Sequence, residues 1–285
     1  MGPIDKHPLR ADPVSAAAAQ RICVGSRTLL AVSDGLFKMP RNFVGTEHLP
    51  TAAYDARRTQ YGEVRLPLGC FLWPGDSLAL IDTGFGPFEG SAGMLVGGLL
   101  PASLASAGYR FSDVEVIALS HLHGDHIGWI ADENGDPAFP NARIFVGRAD
   151  WDYFIVGGAA PAPRSRVLHA LQTLADRGQI ELVDGETTIV GGLKRLPAPG
   201  HTPGHSIYVA HDGGERVLLF GDALYCPHQL EHDDWQAMSD VDARLASQTR
   251  ARFLRDVEAN SGGVLGCHFP ELQMARLWGA GANSR

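Results

Sequence analysis

Ser120-His121-Leu122-His123-Gly124-Asp125-His126 places four potential metal ligands within six consecutive residues. The run before it, residues 114–120 (VEVIALS), is apolar and β-branched and reads as a buried strand. At a strand end alternate side chains share a side, so His121 and His123 can point to one place. Asp125 and His126 can curl back toward the same place from the following turn. Imidazole suits zinc, iron or copper, and a carboxylate beside it suits a divalent cation. The alternative is a solvated histidine-rich loop, and the abutting apolar strand argues against it.

Three later pieces repeat the logic. Pro199-Gly200-His201-Thr202-Pro203-Gly204-His205 follows one apolar run, Gly221-Asp222-Ala223 follows Val217-Leu218-Leu219-Phe220, and Gly266-Cys267-His268-Phe269 follows residues 263–266. Each places a histidine or aspartate just after a strand, which is how an α/β scaffold gathers a site at one edge. A lone His201 or His268 would read as a hydrogen-bonded core histidine; the joint pattern reverses that reading.

The rest of the chain fills in around these pieces. Residues 1–20 read as an arm and 21–285 as a single catalytic domain. Residues 21–32 suggest a first strand, and 38–64 an irregular loop. Residues 69–73 and 77–82 suggest a hairpin closed by Pro74-Gly75-Asp76. Helices are expected over 94–107, 164–176 and 241–259. Further strands are expected over 142–147, 180–183, 187–196, 206–211, 216–221 and 263–266. The Gly-rich stretch 84–98 suggests a flap over the site. Strands, then strand–helix alternation, then strands again give an α/β architecture.

Composition narrows the function classes. The 285 residues carry 24 Lys+Arg against 32 Asp+Glu, a formal charge of −8. Nucleic-acid binding needs clustered cations, so this acidic chain argues against it. No apolar run approaches the roughly 20 residues of a membrane helix, and the N-terminus lacks a leucine-rich signal core. Cys23, Cys70, Cys226 and Cys267 form no CxxC pair. The expectation is a cytoplasmic protein acting on a small molecule.

The order HxHxDH, GHTPGH, GD and a late GxH resembles the metallo-β-lactamase superfamily, from about Gly69 to Phe269. The resemblance implies an αββα sandwich, two packed mixed sheets with helices on the outer faces. It implies that His121, His123 and His201 bind one metal and Asp125, His126 and His268 a second, with Asp222 bridging both. Asp82 would be a supporting carboxylate, or a simple strand-end turn. Two divalent ions per chain are implied, zinc by default, with iron, manganese or cobalt open. Relatives are often dimeric, so a homodimer is expected.

Two cations sharing a hydroxide would attack a carbonyl or phosphoryl centre without a serine or cysteine nucleophile. Asp125 is placed to orient that hydroxide and pass its proton on. Tyr225, three residues after Asp222, resembles the N-acyl-homoserine lactone lactonases, quorum-quenching enzymes in which a tyrosine at that offset hydrogen-bonds the substrate carbonyl. The alternative is a tyrosine that only packs. The stretch after Tyr225 also resembles the methyl parathion hydrolase branch, which cleaves aryl phosphotriesters. A mono-iron persulfide dioxygenase is a further alternative, disfavoured by the full second ligand set.

Overall fold

Between residues 27 and 39 the chain alternates, and that alternation sets the layers. Leu29 and Ala31 face one apolar core, and Leu30 and Val32 face another. The first core lies between two sheets; the second lies between one sheet and its covering helices. A strand buried on both faces must be apolar throughout, as Val116-Ile117-Ala118 is.

The computed structural model describes residues 19–39, 43–44, 64–87, 95–232 and 234–277. The expected N-terminal arm therefore lies outside the described residues except at its end, as do residues 40–42 and 45–63 of the expected loop and residues 88–94 of the expected flap.

The first sheet holds β1 (Gln20–Val24), β2 (Arg27–Met39), β3 (Val64–Trp73), β4 (Ala79–Ile81), β5 (Leu95–Val96), β6 (Val116–Ala118), β7 (Arg143–Gly147) and β8 (Ile180–Val183). Its order is β1-β2-β3-β4-β6-β7-β8, with β5 paired to β2. From β4 to β8 the pairs are parallel, and the others are antiparallel. The second sheet holds β9 (Thr187–Val190), β10 (Leu193–Pro197), β11 (Ser206–Asp212), β12 (Glu215–Leu219), β13 (Gly262–Leu265) and β14 (Ala275–Leu277). It runs β14-β13-β12-β11-β10-β9, with β12 and β13 parallel. Phe71, Trp73 and Ile81 from the first sheet meet Leu193, Ile207 and Leu219 from the second. Helices α1 (Leu100–Ser106) and α2 (Ser165–Asp176) bury Leu104, Val167 and Leu171 on the outer face of the first sheet. Helix α3 (Ala243–Asn260) packs Phe253, Leu254 and Val257 against the second sheet, within the same apolar cluster. Two mixed sheets carrying helices are the architecture that the sequence implied.

Element boundaries differ from the expectation in several places; β3, for one, begins at Val64 rather than at residue 69. Residues 21–32 form a hairpin rather than one strand. Gly25 turns at φ +60° and Ser26 donates its N–H and hydroxyl to Asp212 at 2.7 and 2.6 Å. Residues 187–196 likewise split into β9 and β10, because Gly192 takes φ +78° between them. Of the helix expected over 94–107, only 100–106 is helical; Pro101 suits its first turn, and Leu95 and Val96 pair with β2 instead.

Asp34 explains how the flap is anchored. Its buried carboxylate accepts from Phe85 N (2.8 Å), Gly86 N (2.9 Å), Gly98 N (3.1 Å), Leu100 N (2.8 Å) and Trp129 Nε1 (2.7 Å). Both described ends of the expected flap are thereby pinned to β2. Burial raises the Asp34 pKa, and these donors work against the rise. In Asp34→Asn an amide N–H would face some of these donors, so we expect a loss of about 2–3 kcal/mol. Urea unfolding checks this; an unchanged midpoint would mean the anchor is dispensable.

Candidate metal centre

Most candidate residues stand just beyond a strand, at one edge of the sandwich, with Asp125 and His126 on the turn after β6. Asp82 follows β4, His121 follows β6, His201 follows β10, Asp222 follows β12 and His268 follows β13. Asp82 leaves its strand at φ +59°, a conformation that aspartate tolerates better than most residues. Asp222 depends on a close approach before it. A Cβ at Gly221, which sits at φ +52°, would come within 2.9 Å of His205 Nε2 and 3.0 Å of Ser120 Cβ.

His121, His123, His201 and Asp222 form one donor group, with all four ligand atoms within 4.8 Å of one another. His121 Nε2 and His201 Nε2 each lie 2.9 Å from His123 Nδ1, and 3.2 Å from each other. Their outer nitrogens fix the tautomers. His201 Nδ1 donates to Asp240 Oδ1 at 3.0 Å. Ser120 gives its hydroxyl proton to Asp82 at 2.7 Å, so it accepts from His121 Nδ1 at 3.0 Å. Both Nε2 atoms therefore present lone pairs inward. Lone pairs converging at this range suit a cation: tetrahedral zinc with nitrogen ligands at 2.0–2.1 Å spaces them about 3.3 Å apart.

The second group holds His126, Asp222, Cys267 and His268. His126 Nδ1 donates to Asp82 Oδ2 and His268 Nδ1 to the Pro67 carbonyl, each at 2.8 Å. These bonds turn Nε2 of each ring inward, where both atoms are buried without a hydrogen-bond partner. Asp222 Oδ1 lies 3.1 and 3.2 Å from them. Asp125 Oδ2 lies 3.7 Å from His126 Nε2 and 3.6 Å from His268 Nε2, and its side chain is 19% exposed. The donor chemistry fits divalent cations at both places, with Asp222 common to the two.

The charges agree. Burial and the neighbouring imidazoles hold His121 well below the usual value, and burial with His201 lowers His123 to about 4. Burial also pulls His126 and His268 down, but the carboxylates of Asp222 and Asp125 raise both. His121 and His123 thus offer neutral imidazoles, and the second group sits in a negative field that draws positive charge.

Six of the seven residues expected as ligands fall in the two donor groups, Asp125 lies 3.6–3.7 Å from the second, and Asp82 accepts from Ser120 Oγ and His126 Nδ1. Tyr225 is buried, with its hydroxyl donating to Asp222 Oδ2 at 2.5 Å. Cys267 also donates to Asp222 Oδ1 at 3.2 Å; burial and that carboxylate keep its pKa well above the ordinary thiol value. Several supports were missed. Asp240 lies in a polar run without a motif. His205 Nε2 accepts from Asp222 N at 3.2 Å. Asp150 accepts from Thr202 Oγ1 (2.8 Å) and Gly204 N (2.5 Å), holding the His201 loop. Phe154, on the π-helix Trp151–Val156, sets its ring edge-on to His123 at 5.4 Å. Phe71 and Trp73 belong to the inter-sheet core.

Residues 70–260 match the metallo-beta-lactamase superfamily, and the chain belongs to it. It is 28% identical over 208 residues to the N-acyl homoserine lactonase AiiA of Bacillus thuringiensis subsp. kurstaki, covering 66% of this chain and 76% of that one. It is 36% identical over 179 residues to a probable metallo-hydrolase of Mycobacterium tuberculosis, covering 53% of this chain and 54% of that one. Among solved structures, AidC, a dizinc quorum-quenching lactonase in complex with a product, aligns with a TM-score of 0.75 at 23% identity, over 95% of this chain and 99% of that one; the likeness is one of fold. Homologues and structural neighbours include metal-dependent hydrolases such as lactonases, and the chain stands with them as a metal-dependent hydrolase. Among the described residues no helix is long and apolar enough to cross a membrane.

Proposed function

We propose that this chain opens lactones, with N-acyl-homoserine lactones as the substrate class, at a dinuclear centre. The observation that carries the reading is Asp222: it belongs to both donor groups and carries the Tyr225 hydroxyl on the same carboxylate. Its lactonase relatives supply the substrate class. His121, His123, His201 and Asp222 Oδ2 would hold one divalent ion, and Asp125, His126, His268 and Asp222 Oδ1 the other, zinc fitting this nitrogen and oxygen set. When bound, such a pair supplies Lewis acidity and a water acidic enough to ionise near neutral pH.

The chain's own groups do the rest. Tyr225 turns its proton from Asp222 to the substrate carbonyl oxygen and stabilises the charge that develops there. Burial and Asp222 raise its pKa well above the usual phenol, so it stays a donor at working pH. Asp125 is the most exposed carboxylate of the cluster, which suits it to carry a proton to the departing alcohol.

Elemental analysis and a panel of lactones, aryl esters and a phosphotriester, run on one sample, test the reading. About two ions per chain with lactone turnover is the expected result. Phosphotriester turnover without lactone turnover would overturn the substrate class. One iron per chain with oxygen uptake on a persulfide would overturn the hydrolytic centre.

A further inference from the structure

The segment between the candidate tyrosine and helix α3 touches the centre twice, through adjacent residues. Asp240 Oδ1 accepts from His201 Nδ1 at 3.0 Å, and both side chains are fully buried. Ser239 Oγ lies 2.9 Å from the Tyr225 hydroxyl. Tyr225 has a single hydroxyl proton and gives it to Asp222, so Ser239 is the donor in that pair. The segment is held mainly by its backbone. Val241 N donates to His201 O at 3.0 Å, Asp242 N to Gly200 O at 2.9 Å and Met238 N to Phe43 O at 2.9 Å. Ala237 N donates to the second oxygen of Asp240 at 2.9 Å. The Ser239 hydroxyl is therefore free to act on Tyr225 without also holding the segment.

We infer that Ser239 and Asp240 are paired positioning residues, one acting through Tyr225 and the other through His201. The Ser239 arm rests on the donor role proposed for Tyr225; the Asp240 arm rests only on the donor geometry. Asp240 fixes the ring and tautomer that leave His201 Nε2 facing its group, and such outer partners raise the basicity of a ligating histidine. Ser239 donates into the phenol oxygen. A hydroxyl that accepts a hydrogen bond becomes a stronger donor, because chained bonds polarise one another. Ser239 thus strengthens the bond that Tyr225 gives, whether to Asp222 or to a substrate carbonyl. No motif marks either residue, since each acts on a group 14 or 39 positions away.

The test uses the full chain loaded with zinc, N-hexanoyl-homoserine lactone as probe and chelator competition for metal affinity. Thermal melting first confirms that each variant folds. Asp240→Asn, which keeps size and one acceptor, should weaken zinc binding by about 10–100-fold. Ser239→Ala should leave zinc affinity unchanged and lower kcat by about 3–10-fold with little change in KM, as for loss of one neutral hydrogen bond. Ser239→Thr should restore kcat. Placed on Tyr225→Phe, Ser239→Ala should have no further effect. An equal loss from Ser239→Ala in both backgrounds would overturn its action through Tyr225. Undiminished zinc affinity in Asp240→Asn would overturn the other half. Should the zinc-loaded chain leave the lactone intact, the lactonase reading fails and the Ser239 half falls with it, while zinc affinity still decides the Asp240 half.

Discussion

Asp222→Ala is expected to release metal from the folded chain and to lower kcat/KM by about 1000-fold or more. Removing an outer partner of a metal ligand costs about 10–100-fold in affinity or activity, and Asp222 is a donor shared by both groups. Its loss does three further things. It takes away the carboxylate that draws positive charge to His126 and His268. It also leaves the Tyr225 hydroxyl and the Cys267 thiol without their acceptor. The fold should survive, because Asp222 adds nothing to the inter-sheet core, and the Leu218, Leu219 and Phe220 packing before it is untouched. Elemental analysis, circular dichroism and turnover on one preparation check this. A folded variant with full metal content and full activity would refute the shared-donor reading, and Asp222→Asn separates the charge from the shape of the side chain.

The part of the centre visible in the sequence is the part built from short-range signals. His121, His123, Asp125 and His126 are adjacent in the chain, and His201, Asp222 and His268 each follow an apolar run that announces its strand. The supports are different in kind. Asp240 reaches His201 only because the chain folds back before α3, and Pro67 reaches His268 through a carbonyl oxygen, which every residue has. Asp34 could have been suspected, as a carboxylate inside an apolar strand beside Gly35, but its donors come from the flap, α1 and Trp129. The fold was legible for a related reason. Continuous apolar runs mark strands buried on both faces and gave the α/β class, while the two-sheet sandwich was implied by the resemblance that the motifs carry. What blurred were joints: Gly25 and Gly192 turn the chain inside runs whose apolar pattern continues on either side.

Tyr225→Phe is expected to lower kcat by about 10–1000-fold, the range for losing one donor to a developing oxyanion, while metal content stays at the wild-type level. The substitution is clean because the ring keeps its contacts. It stacks on His268 with centroids 5.1 Å apart and meets Phe43 edge-on at 5.3 Å. Only the hydroxyl goes, and with it the bonds to Asp222 and Ser239, so stability should change by about 1–2 kcal/mol at most. The pH dependence carries a second, sharper expectation. The phenol is held well above its ordinary pKa by burial and by Asp222, so it stays protonated throughout the neutral range. Its removal should therefore lower the rate by the same factor from about pH 6 to 9, the two profiles running parallel, since a donor with a pKa near 10 or above does not titrate there. A variant whose deficit vanished at one end of that range would show Tyr225 acting by titration rather than as a fixed donor. An unchanged kcat would leave it as a packing residue on His268, and a deficit that tracked metal loss would move its role from the substrate to Asp222.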